Sequence, residues 1–148
     1  MGFFDRLKEP KANIRIQLDN QYLSLREPMT GKIYLSSSEE FEADEIRIEL
    51  WVTERVQATE QQKAGERTIT VTARESNNLH RSNISVAGYT QFNDGFNDEF
   101  PFSAHLPANV PPTYRSRNVQ TTWMIKGVIG VKGRPDVTTN HMEIQVTN

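Results

Sequence analysis

Asp98-Glu-Phe-Pro-Phe-Ser-Ala-His-Leu-Pro-Ala-Asn-Val-Pro-Pro-Thr-Tyr-Arg-Ser-Arg-Asn-Val-Gln-Thr-Thr-Trp-Met-Ile-Lys-Gly-Val-Ile-Gly-Val-Lys132 sets two alternating runs on either side of a proline-rich crossing. In its first arm Phe100, Phe102, Ala104 and Leu106 fall on alternate positions, with Pro101, Ser103 and His105 between them. That is the period of a strand buried on one face. In its second arm Val119, Thr121, Trp123, Ile125, Gly127, Ile129 and Val131 repeat the alternation, with Gln120, Thr122 and Lys126 on the opposite face. Between the arms, Pro107, Pro111 and Pro112 cannot donate to a sheet ladder and restrict the backbone, so the connection reads as a stiff corner and not a hairpin.

Outward from this pair, the same reading accounts for most of the chain. Upstream, Asn93-Asp94-Gly95 is a tight-turn signal, preceded by a strand over His80 to Phe92 through Ile84 and Val86. A long strand places Ile46, Ile48, Leu50, Val52 and Val56 inward and Glu45, Arg47, Glu49, Trp51, Thr53 and Arg55 outward. The polar run Gln57 to Glu66 reads as a loose connection, followed by a threonine ladder at Thr68, Thr70 and Thr72 on a solvent-facing strand, with Ser76-Asn77-Asn78 as a turn. Nearer the N-terminus, strands are expected around Ile14 to Leu18, Tyr22 to Leu25 and Thr30 to Leu35, and a last strand at Met142 to Val146. Gly2 to Lys8 reads as a short amphipathic turn carrying Phe3, Phe4 and Leu7, marginal unless it docks. About eight strands, regular turn signals and no long helix predict an all-β, two-sheet antiparallel sandwich with Trp123, Phe100, Phe102, Ile48 and Leu50 in its core.

The motifs suggest a family. F-x-F-x-x-x-L-P at Phe100 to Pro107, P-P-T-Y at Pro111 to Tyr114, the long strand through Trp123, G-x-I-x-L at Gly31 to Leu35 and E-I-R-I-E-L from Glu45 occur in the order of the arrestin-like N-terminal lobe. The chain resembles arrestins, the retromer's arrestin-fold subunit and bacterial sporulation-control proteins of that fold. The resemblance implies an arrestin/immunoglobulin-like sandwich over residues 13–148, preceded by an N-terminal arm over 1–12. Family members usually carry two such lobes, and this chain has room for one, as a single-lobe protein or as a fragment of a two-lobe one. It also implies a non-catalytic adaptor or scaffold for protein partners in signalling or trafficking.

Composition bounds the alternatives. The chain has 148 residues, enough for one domain burying roughly 70% of its unfolded surface. Seventeen Lys and Arg against nineteen Asp and Glu give a net charge of −2, so no overall field favours nucleic acid. The absence of cysteine excludes disulfides and thiolate chemistry and fits a cytoplasmic setting. No apolar run reaches the roughly 18 residues of a membrane span, and Gly2 lacks the Ser or Thr four residues on that myristoylation requires, position 6 being Arg.

Catalytic and metal-binding signatures are absent. His80, His105 and His141 stand in no metal-ligand spacing, and the oxygen-rich run Asn93 to Glu99 lacks the order of a calcium loop. There is no G-x-S-x-G elbow and no phosphate-cradling glycine loop; Gly127, Gly130 and Gly133 sit where glycine marks bends or bulges. Glu39-Glu40 lies in a polar loop where nothing separates the two pKa values, and Asn83-Ile84-Ser85 is a formal glycosylation sequon without a secretory signal. The expectation is no enzyme, no cofactor and no metal.

Binding surface is what remains. Arg6, Lys8 and Lys11 form a basic arm, in the neighbourhood where arrestin-like proteins that read phosphorylated tails carry basic residues, and Arg115 and Arg117 form a second basic pair. Their plain alternative is a solvated charge run. Trp51 on a polar face is a hot-spot candidate, set against burial under an edge loop or the N-terminal turn. A carbohydrate or small-molecule module is the rival reading, with Trp51, Tyr34 and Tyr89 as its aromatic candidates. Long strands with open edges further predict homodimerisation by edge pairing.

Overall fold

The two arms that flank the proline corner lie in different sheets, as the computed structural model, which describes residues 3–148, makes plain. A 3-10 helix at Phe3–Leu7 precedes β1 (Ala12–Leu18), β2 (Tyr22–Ser24), β3 (Met29–Ser37), β4 (Phe41–Ala64) and β5 (Arg67–Ala87). Then follow β6 (Thr90–Phe92), β7 (Phe96–Ala104), β8 (Tyr114–Arg115), β9 (Val119–Val131), β10 (Val137–Thr138) and β11 (Met142–Thr147). A small sheet has the order β1-β3-β7; the large sheet runs β2-β11-β9-β4-β5, with β6 on β4 and β8 and β10 on β9. This is the expected all-β sandwich. One pairing departs from the antiparallel rule: β2 runs parallel to β11 over Tyr22–Ser24.

Alternation sets the core. Ile33 and Leu35 of β3 and Phe102 of β7 face Ile46, Ile48, Leu50 and Val52 of β4 and Trp123, Ile125 and Ile129 of β9, all buried. Phe100 is only partly buried and packs against this cluster. The proline corner is pinned from inside: the Trp123 indole N–H donates to the Pro111 carbonyl at 2.9 Å, and Leu106 and Val110 are buried beneath it. Gly127 marks no bulge. A Cβ there would stand 3.0 Å from Ile14 and 3.3 Å from Ile16, so glycine lets β1 settle onto β9.

Two local expectations are corrected. Gln57–Glu66 is not a loose connection: β4 continues to Ala64, turns through Gly65-Glu66 and returns as β5. Ser76-Asn77-Asn78 lies inside β5, paired with Thr53–Arg55, and is not a turn. Asn93-Asp94-Gly95 is the tight turn expected, with Gly95 at φ 86 and the Phe96 amide bonded to the Asn93 carbonyl. It joins strands of different sheets, β6 on β4 and β7 on β3, so it is not a hairpin. The expected N-terminal turn forms at Phe3–Leu7, but Phe3, Phe4 and Leu7 stay exposed and undocked. Gly2, the first residue of the expected turn and of the myristoylation pattern, lies outside the described residues.

Candidate interaction surfaces

The most unusual feature grows out of β4 and β5. β4 loses its β9 neighbour at Val56, which pairs with Val119, and beyond it the two strands run on alone from Gln57↔Arg74 to Ala64↔Arg67. At about 3.4 Å per residue this arm projects roughly 25 Å from the sandwich. Its turn has Gly65 at φ 69 while Glu66 keeps a negative φ, which is the II′ geometry that a two-residue hairpin favours. Partners across the ladder share a face. One face carries Ala58, Ala73, Val71, Ile69 and Ala64 around Glu60, Gln62 and Arg67; the other is polar, with Thr59, Gln61 and Lys63 against Thr72, Thr70 and Thr68. Residues 58–75 are all exposed. β5 is also the outer strand of the large sheet, and among the described residues its backbone bonds to no strand but β4.

At the root of the arm a groove of about 290 Å³ opens between the two strands and the turn that leads into β9. Arg55, Arg74 and Arg117 line it, with Glu75, Ser76 and Asn118. The turn is held there by the Gln57 amide donating to the Asn118 carbonyl at 2.7 Å and by Ser116, whose hydroxyl accepts from the Val119 amide at 3.1 Å. Among the described residues, none of the three arginines has a carboxylate within ion-pair distance. Of the expected pair, only Arg117 belongs to this groove. Arg115 leans, exposed, toward Glu143 at 4.0 Å. Arg55 and Arg74 were not singled out in the sequence as binding residues, because the ladder brings them together from 19 positions apart.

At the other end of the sandwich the basic arm is tied down through its backbone. Arg134, its side chain only 5% exposed, donates from Nε to the Lys8 carbonyl at 3.1 Å and from Nη1 to Glu39 Oε1 at 2.6 Å. Glu39 Oε2 accepts from the Lys11 amide at 2.9 Å. The hydrogen bond from Arg134, then that from the Lys11 amide, hold the Glu39 carboxyl below the usual carboxylate range. The side chains of Arg6, Lys8 and Lys11 stay exposed. Nothing in sequence links Arg134 to Glu39, 95 residues earlier.

Trp51 stands on the outer face of the large sheet and is half-buried, not protruding. His141 meets its ring edge-on at 4.9 Å, and Lys126 and Arg81 each lie 6.0 Å from its centre. Lys126 and Arg47 also flank Glu49, at 3.3 and 3.4 Å. Burial alone acts most strongly on Glu49 and opposes its ionisation, yet the two cations together outweigh it and lower its pKa. Tyr34 faces out from β3 in the small sheet beneath Arg15, and Tyr89 sits exposed after β5, bonded to Glu42. Trp51 and Tyr34 therefore lie on opposite outer faces, an arrangement that no single flat sugar ring can span. Among the described residues no group of three His, Asp or Glu is placed to hold a metal ion, and no helix is long and apolar enough to cross a membrane.

Comparison with known proteins agrees with this architecture. No curated protein sequence matches the chain. Among solved structures it is similar to the sporulation control protein Spo0M from Bacillus subtilis, with a TM-score of 0.66 at 17% identity over 95% of this chain. The match covers 51% of that protein, so the chain spans about half its length. The family model described as arrestin (or S-antigen), N-terminal domain, matches residues 13–148. Sandwich, corner and family match agree, and the chain belongs to the arrestin N-terminal domain family.

Proposed function

We propose that this protein is a non-catalytic, cytoplasmic adaptor that holds protein partners, a second copy of itself among them, by adding strands to the open edge of β5. The observation that carries this reading is the 21-residue β5 strand at the border of the large sheet, with its outward N–H and C=O groups unmatched among the described residues. Natural sheets blunt such edges with proline, bulges or charges. β5 has no proline, its bulges fall at Leu79 and Val86, and the outer stretch Thr68–Ala73 carries no charge. An isolated two-stranded ribbon is at best marginal in water, so its free edge and its Ala-Val-Ile face favour a partner strand. The edge strand β7, by contrast, carries Pro101 and pairs only with β3.

Sedimentation of the wild type against an Ile69→Lys, Val71→Lys variant tests this. The wild type should form dimers at micromolar concentration and the variant should remain monomeric with an unchanged circular dichroism spectrum. A wild type that stays monomeric at high micromolar concentration would remove the self-association arm of the proposal.

A further inference from the structure

We infer that the groove at the root of the arm is a binding site for a phosphate group. Three exposed arginines from three segments line it: Arg55 on β4, Arg74 on β5 and Arg117 on the turn before β9. The ladder fixes two of them. Arg55 is the register partner of Ser76, and Arg74 lies two residues along β5 on the same face. Arg47 on β4 and Arg134 on the turn after β9 each have a carboxylate at 2.6–3.6 Å, whereas these three, like Arg67 and Arg81 on β5, have none among the described residues. Glu75 is the one carboxylate among the lining residues and, as the register partner of Val56, lies on the opposite face of the ladder, where it offsets the three positive charges only in part.

Cations gathered around one cleft repel each other, and a bound dianion reverses the sign of that interaction. Arginine is also the side chain whose planar fork of N–H donors matches a phosphate oxygen pair. The Ser76 hydroxyl and the Asn118 side-chain amide line the same groove, make no hydrogen bond among the described residues and are further donors. With each water taking about 30 Å³ of liquid volume, a groove of about 290 Å³ holds a phosphate with several waters, or with the first atoms of its carrier. The site is independent of the basic arm. Arg117 and Arg134 flank opposite ends of β9, whose 13 residues set them on the order of 40 Å apart.

Amide NMR of the whole chain tests this, titrating inorganic phosphate against chloride at matched ionic strength. Resonances of Ser76 and of residues 116–120 should shift with phosphate and not with chloride. Arg74→Gln and Arg117→Gln should each weaken binding roughly tenfold, the loss expected for one hydrogen bond to a charged group. Glu75→Gln should tighten it, a gain that a merely structural role would not produce. Arg15→Gln, on the other sheet, should change nothing. A phosphoserine peptide that saturates at lower concentration than inorganic phosphate identifies a protein-borne ligand; equal affinities identify the free ion. Absent shifts, shifts unaffected by Arg74→Gln and Arg117→Gln, or a glutamate peptide binding as tightly as the phosphopeptide would each overturn the site. Because Ile69→Lys, Val71→Lys leaves the groove intact, its phosphate response separates this inference from self-association.

Discussion

Trp123 joins two jobs that are usually separate. Its ring is fully buried between the sheets, and its one polar atom reaches the Pro111 carbonyl in the corner that carries the chain from one sheet to the other. Trp123→Ala should therefore cost roughly 3 to 5 kcal/mol, the range for removing a large buried aromatic, read as a lowered urea midpoint at constant slope. Trp123→Phe keeps most of the apolar contact but orphans that carbonyl, so it should fall between the two. A loss under about 1 kcal/mol for the alanine variant would mean that the core can close over the gap. The burial of Trp123 was legible in the sequence because alternation runs from Thr121 to Gly127 around it. Its carbonyl partner was not, since the corner folds back in a way no period encodes. Trp51 shows the same division: its outward phase was readable, but its neighbours His141, Lys126 and Arg81 come from three other segments.

At the level of the element, the β4–β5 arm shows why Gln57–Glu66 carries no strand signal in the sequence and reads as a loose connection. Hydrophobic period reports a face that is buried, and an arm with two solvated faces has no such face to report. What remained visible was β-branched content, in Thr68 to Thr72 with Ile69 and Val71, and a glycine where the turn needs positive φ. An element held by its ladder alone should be its least protected part. Amides of Thr59–Lys63 are expected to exchange orders of magnitude faster than those of Ile46–Leu50 in the same strand, because opening the arm exposes no core. The contrast should depend on concentration if copies pair along β5: protection of Thr68–Ala73 should rise as protein is added. Uniform protection along β4 in dilute solution would show that the arm is not solvated. Gly65→Ala, at φ 69, should loosen the arm and leave the sandwich transition unchanged.

For the whole molecule, sequence patterning was enough for two sheets, a corner and a shared core, because each follows from alternation and turn chemistry. Surfaces assembled across the fold were not readable in this way, and the clasp of Arg134, Glu39 and the N-terminal backbone is the clearest case. That clasp ties together the N-terminal segment, the loop between β3 and β4 and the turn between β9 and β10. It should make the stability of the protein depend on pH. Glu39 titrates below its ordinary value in the folded chain, held there first by the Arg134 hydrogen bond, so the folded state favours its charged form. The contribution is then complete above the unfolded glutamate pKa of about 4.3 and is lost as pH falls through the lower folded value. Glu49 has the same sign, with Lys126 and Arg47 outweighing its burial. Glu39→Gln keeps an acceptor for Arg134 but loses the charge. With Glu39 partly exposed and Arg134 nearly buried, the cost should be roughly 1 to 2 kcal/mol at neutral pH, between that of a surface pair and a buried one. Urea midpoints of wild type and variant should run parallel from neutral pH down to about 5.5 and converge below about 4.3. Curves that stay equally far apart into strong acid would mean that the Glu39 charge is not what holds the N-terminal segment to the sandwich.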